Sequence, residues 1–328
     1  MDEAAGRVGL CYGVVTIPAV SQLVFTYNHQ PYVEQCLDSV AAQTFDDFEL
    51  IIIDDCSTDR TVERIEAWLS KSPLEARLVV NERNLGICAT RNVALGLCRG
   101  EFLSTVSGDD YYEPDKIERQ YRFWQELDGT AAAVFGNVRR IDARGREIGL
   151  AYPSGRPPAD GRVFDRLIEY GNFMTSPTMM TRRTVFEAVG GYDESLFYED
   201  YDMWLRLADR YEFRFLPGVV ANYRAVPSSA SRNPAYAAAR CESRARVLLK
   251  WYGRSPGTDE VILSRAWKNG RRVLAADRRR GHRVLQAVCA ARPTLRHRAG
   301  VALSAVPGAG HALAATYAVA DRVRGRTR

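Results

Sequence analysis

The stretch Phe48–Asp59, with the sequence FELIIIDDCSTD, decides the fold. Its first six residues form an almost unbroken apolar run rich in β-branched side chains, which is typical of a strand buried on both faces. The run ends at Asp54 and Asp55, and a helical pattern extends from Thr61 to Leu69. A buried strand, a polar turn and a helix in this order predict one unit of an open α/β sheet.

Similar units lie on both sides of this stretch. Residues 21–27 predict a strand before it, and residues 78–80 and 101–106 predict two strands after it. Because ligands of such sheets bind beyond the carboxyl ends of the strands, the polar residues after each strand are the candidates for a site. They are Tyr27-Asn28, Asp54-Asp55 and Asp109-Asp110.

The rest of the chain predicts a second α/β half and a helical region. Helices are expected over 114–127, 163–170, 184–189 and 203–209, strands over 132–137, 177–180 and 213–223, and a loop over 139–158. From about residue 234 the composition shifts to Ala, Arg and Leu, with helical runs near 235–252, 258–275 and 281–291. We therefore expect an N-terminal extension (1–19), an α/β domain (20–230) and a basic helical region (231–328).

The charge is distributed unevenly along the 328 residues. Residues 1–230 hold 24 Lys and Arg against 35 Asp and Glu, whereas residues 231–328 hold 21 against 5. The basic region predicts contact with an anionic membrane surface or a phosphorylated acceptor, unless it is simply a solvated helical bundle. Nucleic acid is not the expected partner, because few aromatic residues interrupt the arginine runs.

Cysteine and histidine usage argues against a disulfide framework and against a zinc site. The seven cysteines are scattered without a C-x-x-C pair, and there are four histidines, so neither a disulfide framework nor a zinc site is expected. The acidic start of the chain predicts no secretory signal, which favours the cytoplasm. Residues 299–320 carry no formal charge and could span a bilayer, lie on it or pack in a soluble bundle.

Three acidic clusters carry the candidate chemistry. Asp54-Asp55 suits a turn and a helix cap, but a second adjacent pair at Asp109-Asp110 also predicts a divalent cation with a phosphorylated ligand. The third cluster, Tyr198–Asp202, begins a helix and could supply a general base. The chain has no phosphate-binding glycine loop and no G-x-S-x-G elbow, which argues against a P-loop NTPase, a dinucleotide dehydrogenase and an α/β-hydrolase.

In this order the clusters and their flanking motifs resemble family 2 glycosyltransferases, which have the GT-A fold. The matching blocks are Val24–Asn28, Leu37–Thr44, Phe48–Asp59, Asn84–Asn92, Gly100–Pro114 and Gly190–Arg206. The resemblance extends over roughly residues 20–225 and implies an open, mixed, mostly parallel sheet flanked by helices, followed here by an α-helical C-terminal extension.

The resemblance also implies roles for the donor-side residues. Tyr27 would lie against the nucleobase, and Asp55 would accept a hydrogen bond from the uracil N–H. Arg91 would lie on the diphosphate side, and Asp109 would face the ribose. Asp110 would bind the Mn²⁺ or Mg²⁺ ion that bridges the diphosphate.

On the acceptor side, the resemblance makes Asp200 the general base, with Glu199 beside it. Asp202 would lie on the acceptor side, and Trp204 would pack in the fold or shape the acceptor pocket. Ser107 stands where many members of the family have another aspartate, so the metal site would depend on fewer carboxylates.

We therefore expect an inverting, metal-dependent transferase that moves a hexose or N-acetylhexosamine from a nucleotide-sugar, by resemblance a UDP-sugar, to a hydroxyl acceptor. Residues 20–125 would bind the donor and 126–230 the acceptor. The acceptor could be lipid-linked or a polysaccharide or other glycoconjugate, and residues 231–328 could associate with the inner face of a membrane. The alternatives are a non-catalytic member of the fold and a sugar nucleotidyltransferase.

Overall fold

The computed structural model describes residues 17–153, 155–227 and 229–306. Its first half is a parallel sheet with helical crossovers. The strands are β1 (Val20–Thr26), β2 (Phe48–Asp54), β3 (Ala76–Val80) and β4 (Phe102–Ser107), and the helices between them are α1 (Val33–Ala41), α2 (Thr61–Leu69) and α3 (Ile87–Leu95). The strands pair in parallel in the order β3-β2-β1-β4.

Burial on both faces explains why the apolar run of β2 forms a strand. Its residues Leu50–Ile53 are 3% exposed or less, because helices cover both sides of the sheet. Gly100 permits the close approach of β4 to β1, since a Cβ atom at this position would lie 2.5 Å from the backbone nitrogen of Ser21.

The strand register brings the carboxyl ends of the four strands to one level. Thr26 pairs with Asp54, Asp54 with Val80, and Phe25 with Ser107. The polar residues that follow these strands therefore lie along one rim of the sheet, as the sequence predicts.

The second half extends the same sheet with strands of both directions. Its elements are β5 (Tyr111–Tyr112), α4 (Lys116–Gln125), β6 (Ala131–Asp142), β7 (Glu147–Leu150), α5 (Phe164–Tyr170), a 3₁₀ turn (Ser176–Thr178), β8 (Met179–Arg182), α6 (Arg183–Val189), α7 (Asp200–Ala208) and β9 (Glu212–Ala225). The strand order continues β4-β8-β6-β9-β5, with β7 beside β6. β8 is antiparallel to both of its neighbours, whereas β9 is parallel to β6, so the sheet is mixed.

The predicted loop over 139–158 is wrong in its first part. The strand β6 continues to Asp142 and forms a hairpin with β7, because Ile141 is buried and the Asp142 carboxylate accepts hydrogen bonds from the N–H groups of Arg144 and Arg146. The Gly-, Pro- and Arg-rich composition of this stretch suggested a loop, but Arg139 and Arg140 lie on the strand between the buried residues Val138 and Ile141. The helix expected from Pro114 begins two residues later, at Lys116.

In the described part of the chain, four α-helices follow the sheet: α8 (Ala237–Lys250), α9 (Pro256–Ala276), α10 (Arg278–Ala291) and α11 (Leu295–Ala305). Val247 and Leu248 of α8 and Ile262 of α9 belong to the hydrophobic cluster that also contains residues of β6 and α7. Within the described ranges, none of the helices is both long and apolar enough to cross a bilayer. Residues 307–320 of the uncharged segment and 1–16 of the expected N-terminal extension lie outside the described residues.

Candidate active site

At the end of β1, the rim begins with an aromatic side chain that is exposed to solvent. The Tyr27 side chain is 41% exposed. Asn28, the next residue, has a positive φ of 56°, and its side-chain oxygen accepts hydrogen bonds from the N–H groups of Thr58 and Asp59. This clamp joins the β1 turn to the turn after β2 and leaves the face of Tyr27 free for a flat ligand.

Asp55 connects the ends of β2 and β3 to the start of α3. Its Oδ1 accepts hydrogen bonds from the Asn81 side chain (2.9 Å) and the Leu85 N–H (2.8 Å), and its Oδ2 accepts one from the Gly86 N–H (2.9 Å). Gly86 has a φ of 81°, a conformation that favours glycine. Since a carboxylate offers about four acceptor positions, one remains on Oδ2. Its neighbour Asp54 is fully buried.

Asp109 and Asp110 follow β4, and Arg224 of β9 holds them in place. The Arg224 N–H donates to Asp110 Oδ1 (2.7 Å), and its side-chain Nε donates to the Asp109 carbonyl (2.9 Å). Burial, reinforced by the charge of Asp109, raises the pKa of Asp110 well above its usual range. His29 Nε2 lies 3.8 Å from Asp109 Oδ1. The two aspartates thus form a buried, acidic end of the rim.

This pair fits a divalent cation shared with a phosphorylated ligand. The described residues contain no group of three or more His, Cys, Asp or Glu side chains placed to enclose a metal ion. Asp110 Oδ1 is occupied by the Arg224 N–H, but Asp110 Oδ2 has no hydrogen bond within the described ranges. One or two carboxylates with the other ligands from phosphate and water are the usual coordination of Mg²⁺ in nucleotide sites.

Glu199, a member of the third acidic cluster, forms a buried ion pair with Arg91. Arg91 Nη2 lies 3.2 Å from Glu199 Oε1, and the same nitrogen donates to Ser176 Oγ (3.1 Å). The guanidinium carbon lies 4.6 Å from the centroid of the Phe25 ring. Arg91 is therefore buried between the sheet and α7, and the pair fixes the position of residue 199.

Asp200, the next residue, keeps part of its surface open to solvent. Its Oδ2 accepts a hydrogen bond from the Asn172 side chain (2.7 Å), and its Oδ1 accepts one from the Tyr201 N–H (2.6 Å). Burial and the charge of Glu199 raise the pKa of Asp200 to about 7, against the opposing effect of Arg91. A carboxyl group with such a pKa can accept a proton near neutral pH.

Two tyrosines interact electrostatically with the acidic groups of the site. Burial raises the pKa of Tyr223, and the charges of Asp110 and Asp109 add to this effect. Burial likewise raises the pKa of Tyr198, with further contributions from Asp200 and from Tyr223 itself. Electrostatic interactions thus connect Asp109 and Asp110 through Tyr223 and Tyr198 to Asp200.

Asp202 and Trp204, predicted on the acceptor side, lie in the protein interior. Asp202 is 1% exposed and ion-paired with both Arg206 and Lys250. Trp204 is 4% exposed and lines, with Arg91, an internal crevice of about 10 Å³. Neither side chain reaches the open surface beside Asp200, because Asp202 faces α8 and Trp204 faces the hydrophobic core.

Three side chains of the site were not identified from the sequence. Asn81 follows β3 directly, so the same rule that selected Asp55 could have found it. Arg224 and Asn172 gave no signal, because a strand arginine and a loop asparagine are common, and only the fold brings them to the aspartates.

Sequence comparison relates the chain to known glycosyltransferases. The family model described as Glycosyl transferase family 2 matches residues 21–190, more than half of the chain. An uncharacterised glycosyltransferase of Methanocaldococcus jannaschii is 28% identical over 218 residues, which is 65% of this chain and 72% of that protein. For several other curated relatives, the match spans 58% or less of their length.

Solved structures match the fold. TarS of S. aureus (residues 1–349), in complex with UDP-GlcNAc, aligns with a TM-score of 0.58 and 21% identity over 85% of this chain and 83% of that chain. The mannosyltransferase PcManGT of Pyrobaculum calidifontis, with GDP-Man and Mn²⁺, aligns with a TM-score of 0.56 and 19% identity over 93% of this chain and 87% of that chain. The architecture is the GT-A type, and by its sequence the chain belongs to glycosyl transferase family 2.

Proposed function

We propose that this protein is an inverting glycosyltransferase that transfers a sugar from a nucleotide-sugar, by preference a UDP-sugar, to an acceptor hydroxyl. The observation that carries the proposal is the geometry of Asp200, a partly exposed carboxyl group that the Asn172 side chain and the Tyr201 N–H hold in place. Family membership and the nucleotide-sugars bound by TarS and PcManGT support it.

The donor would bind along the rim of the sheet. Tyr27 would stack on the base, and the remaining acceptor position of Asp55 would receive the uracil N–H. Asp109 would face the ribose. Arg91 is buried against Glu199. Its role would therefore be to hold in place the segment that carries Asp200, rather than to contact the diphosphate.

Asp110, with Asp109 beside it, would hold Mn²⁺ or Mg²⁺, and PcManGT with bound Mn²⁺ supports this choice. When bound there, the cation would neutralise charge on the leaving diphosphate.

Asp200 would take the proton of the acceptor hydroxyl as that oxygen attacks the anomeric carbon. Asn172 and the Tyr201 N–H hold the carboxylate in one orientation, which favours in-line attack. A single displacement inverts the anomeric centre, and no side chain needs to form a covalent intermediate.

A thermal-shift panel of nucleotides and nucleotide-sugars, with and without Mn²⁺, tests donor binding without knowledge of the acceptor. We expect stabilisation by UDP or a UDP-sugar that requires the metal and is lost in Asp110→Asn. The matched control Asp115→Asn changes an exposed aspartate near α4 and should leave the shift intact. No shift with any nucleotide would contradict the proposal and favour a non-catalytic role.

We also propose that residues 231–328 associate with an anionic membrane surface, which would suit a lipid-linked acceptor. On α11, Leu295 is 86% and Leu303 48% exposed, next to the exposed Arg298. Apolar and basic side chains on one exposed helix favour interfacial binding. In a flotation assay, the protein should bind vesicles containing phosphatidylserine but not neutral ones. Absence of binding to both would refute this part of the proposal.

A further inference from the structure

The helix α8 lies outside the residues that the family model matches, yet it packs against the segment that carries Asp200. The Phe197 N–H donates to Ser243 Oγ (2.7 Å), and Lys250 Nζ binds Asp202 (2.7 Å). These contacts, together with the shared hydrophobic cluster, fix the orientation of α8 relative to the proposed base.

Arg244 of α8 lies over an aromatic ring close in the chain to this base. Its guanidinium carbon lies 5.9 Å from the centroid of the Tyr198 ring, two residues before Asp200 in the chain. Its positive charge also acts to lower the pKa values of Asp200 and Tyr198. The side chain is exposed, so the guanidinium is accessible to a ligand that approaches this segment.

The neighbouring basic residues of α8 have hydrogen-bond or ion-pair partners, whereas the contact of Arg244 is with the Tyr198 ring. Arg240 donates to the Asn233 carbonyl, Arg246 donates to the Ser195 carbonyl and hydroxyl, and Lys250 pairs with Asp202. Within the described ranges, Arg244 has neither a hydrogen bond nor an ion pair. The nearby carboxylate of Glu199 is already paired with Arg91. The planar donors of Arg244 are thus available to a ligand.

An aromatic surface continues from this arginine. The Phe197 ring contacts the rings of Tyr198 and Tyr236, with centroid distances of 5.9 and 5.1 Å. Tyr236, which precedes α8, is 40% exposed. Exposed aromatic faces bind the apolar faces of sugar rings, so the surface suits a carbohydrate with a charged group.

We propose that Arg244 binds an anionic group of the acceptor, a phosphate or a carboxylate, beside the hydroxyl that Asp200 deprotonates. This inference rests on the proposed function and specifies its acceptor class. A guanidinium matches both oxyanions through two parallel hydrogen bonds, and an ammonium group matches them less well. Arg244 would therefore select charged over neutral acceptors.

Ligand-observed NMR titrations of the full chain, saturated with UDP and Mn²⁺, test this proposal. The probes are glucose, glucuronate and glucose 6-phosphate. Glucuronate or glucose 6-phosphate should bind more tightly than glucose. In Arg244→Gln the anionic probe should bind about tenfold more weakly, and Arg244→Lys should recover part of the loss. Arg279→Gln, at an exposed arginine of α10, is the control and should bind as the wild type does.

Equal binding of glucose and both anionic sugars, no binding of either anionic sugar, or unchanged binding in Arg244→Gln would overturn the proposal. Whichever anionic probe binds more tightly identifies phosphate or carboxylate as the preferred group. UDP binding is measured in the same samples. If UDP does not bind, the proposed function itself fails, whereas UDP binding with an unaffected Arg244→Gln variant rejects only the acceptor class.

Discussion

Replacement of Asp200 by asparagine should make the protein more stable and less active. The pKa of Asp200 is raised from 3.8 to about 7, mainly by burial. At about 1.4 kcal/mol per pH unit, this corresponds to roughly 4 kcal/mol, and the partial exposure of the side chain reduces the figure to about 2–4 kcal/mol. This is the free energy by which the ionised carboxylate destabilises the folded state.

The sign of the pH dependence follows from the direction of the shift. Because the folded protein holds this proton more tightly than the unfolded chain, stability is lost as the pH rises from about 4 to about 7 and is not recovered above it. Asp200→Asn cannot ionise. Its thermal unfolding midpoint should therefore exceed that of the wild type by roughly 5 °C at pH 8, and the difference should vanish near pH 4.

The same variant should lose transfer activity while it retains the donor. Removal of a general base typically lowers the rate about 10²–10⁴-fold, and the wild-type rate should rise through a pH of about 7 as Asp200 ionises. The assays are release of the nucleoside diphosphate with acceptor present and thermal unfolding between pH 4 and 8. Asp209→Asn, at an ion-paired aspartate that follows α7, is the control and should show neither effect. A variant that is less stable than the wild type at pH 8, or equally active, would refute the reasoning.

Three further predictions concern the scaffold of the site. Gly100→Ala should lower the free energy of unfolding by about 3 kcal/mol, measured by urea denaturation, because the new Cβ meets the backbone of Ser21 at 2.5 Å. Asn81→Ala should weaken UDP binding about tenfold in calorimetry, because it removes a 2.9 Å hydrogen bond that orients Asp55; unchanged affinity would reject that role. Burial lowers the pKa of Lys116 well below its usual range. The unfolding free energy of the wild type should therefore rise between pH 8 and 10, as the unfolded chain loses this proton. The unfolding free energy of Lys116→Met should depend less on pH over that range.

The first half of the fold could be predicted from the sequence because its strands and helices follow local patterns of apolar and polar residues. The apolar run of β2 ends at Asp54, whose buried carboxylate accepts hydrogen bonds from the hydroxyls of Thr26 and Ser57, and α2 occupies Thr61–Leu69 as its periodicity predicts. The second half was harder to predict. The strand β6 continues through Arg139 and Arg140, because cross-strand pairing with β7 and β9 outweighs the polar composition of that stretch.

For the candidate site, the sequence by itself determined the rim residues Tyr27, Asp55, Asp109 and Asp110, because parallel strands place their carboxyl ends together whatever the rest of the chain does. The tertiary structure alone decided which charges meet. Arg224 reaches the Asp109-Asp110 pair from 114 residues away, and Asn172 reaches Asp200 from 28 residues away. It also placed Arg244 against Tyr198, two residues before Asp200, and Asp202 in the interior, since the direction of a side chain on a helix depends on what that helix packs against.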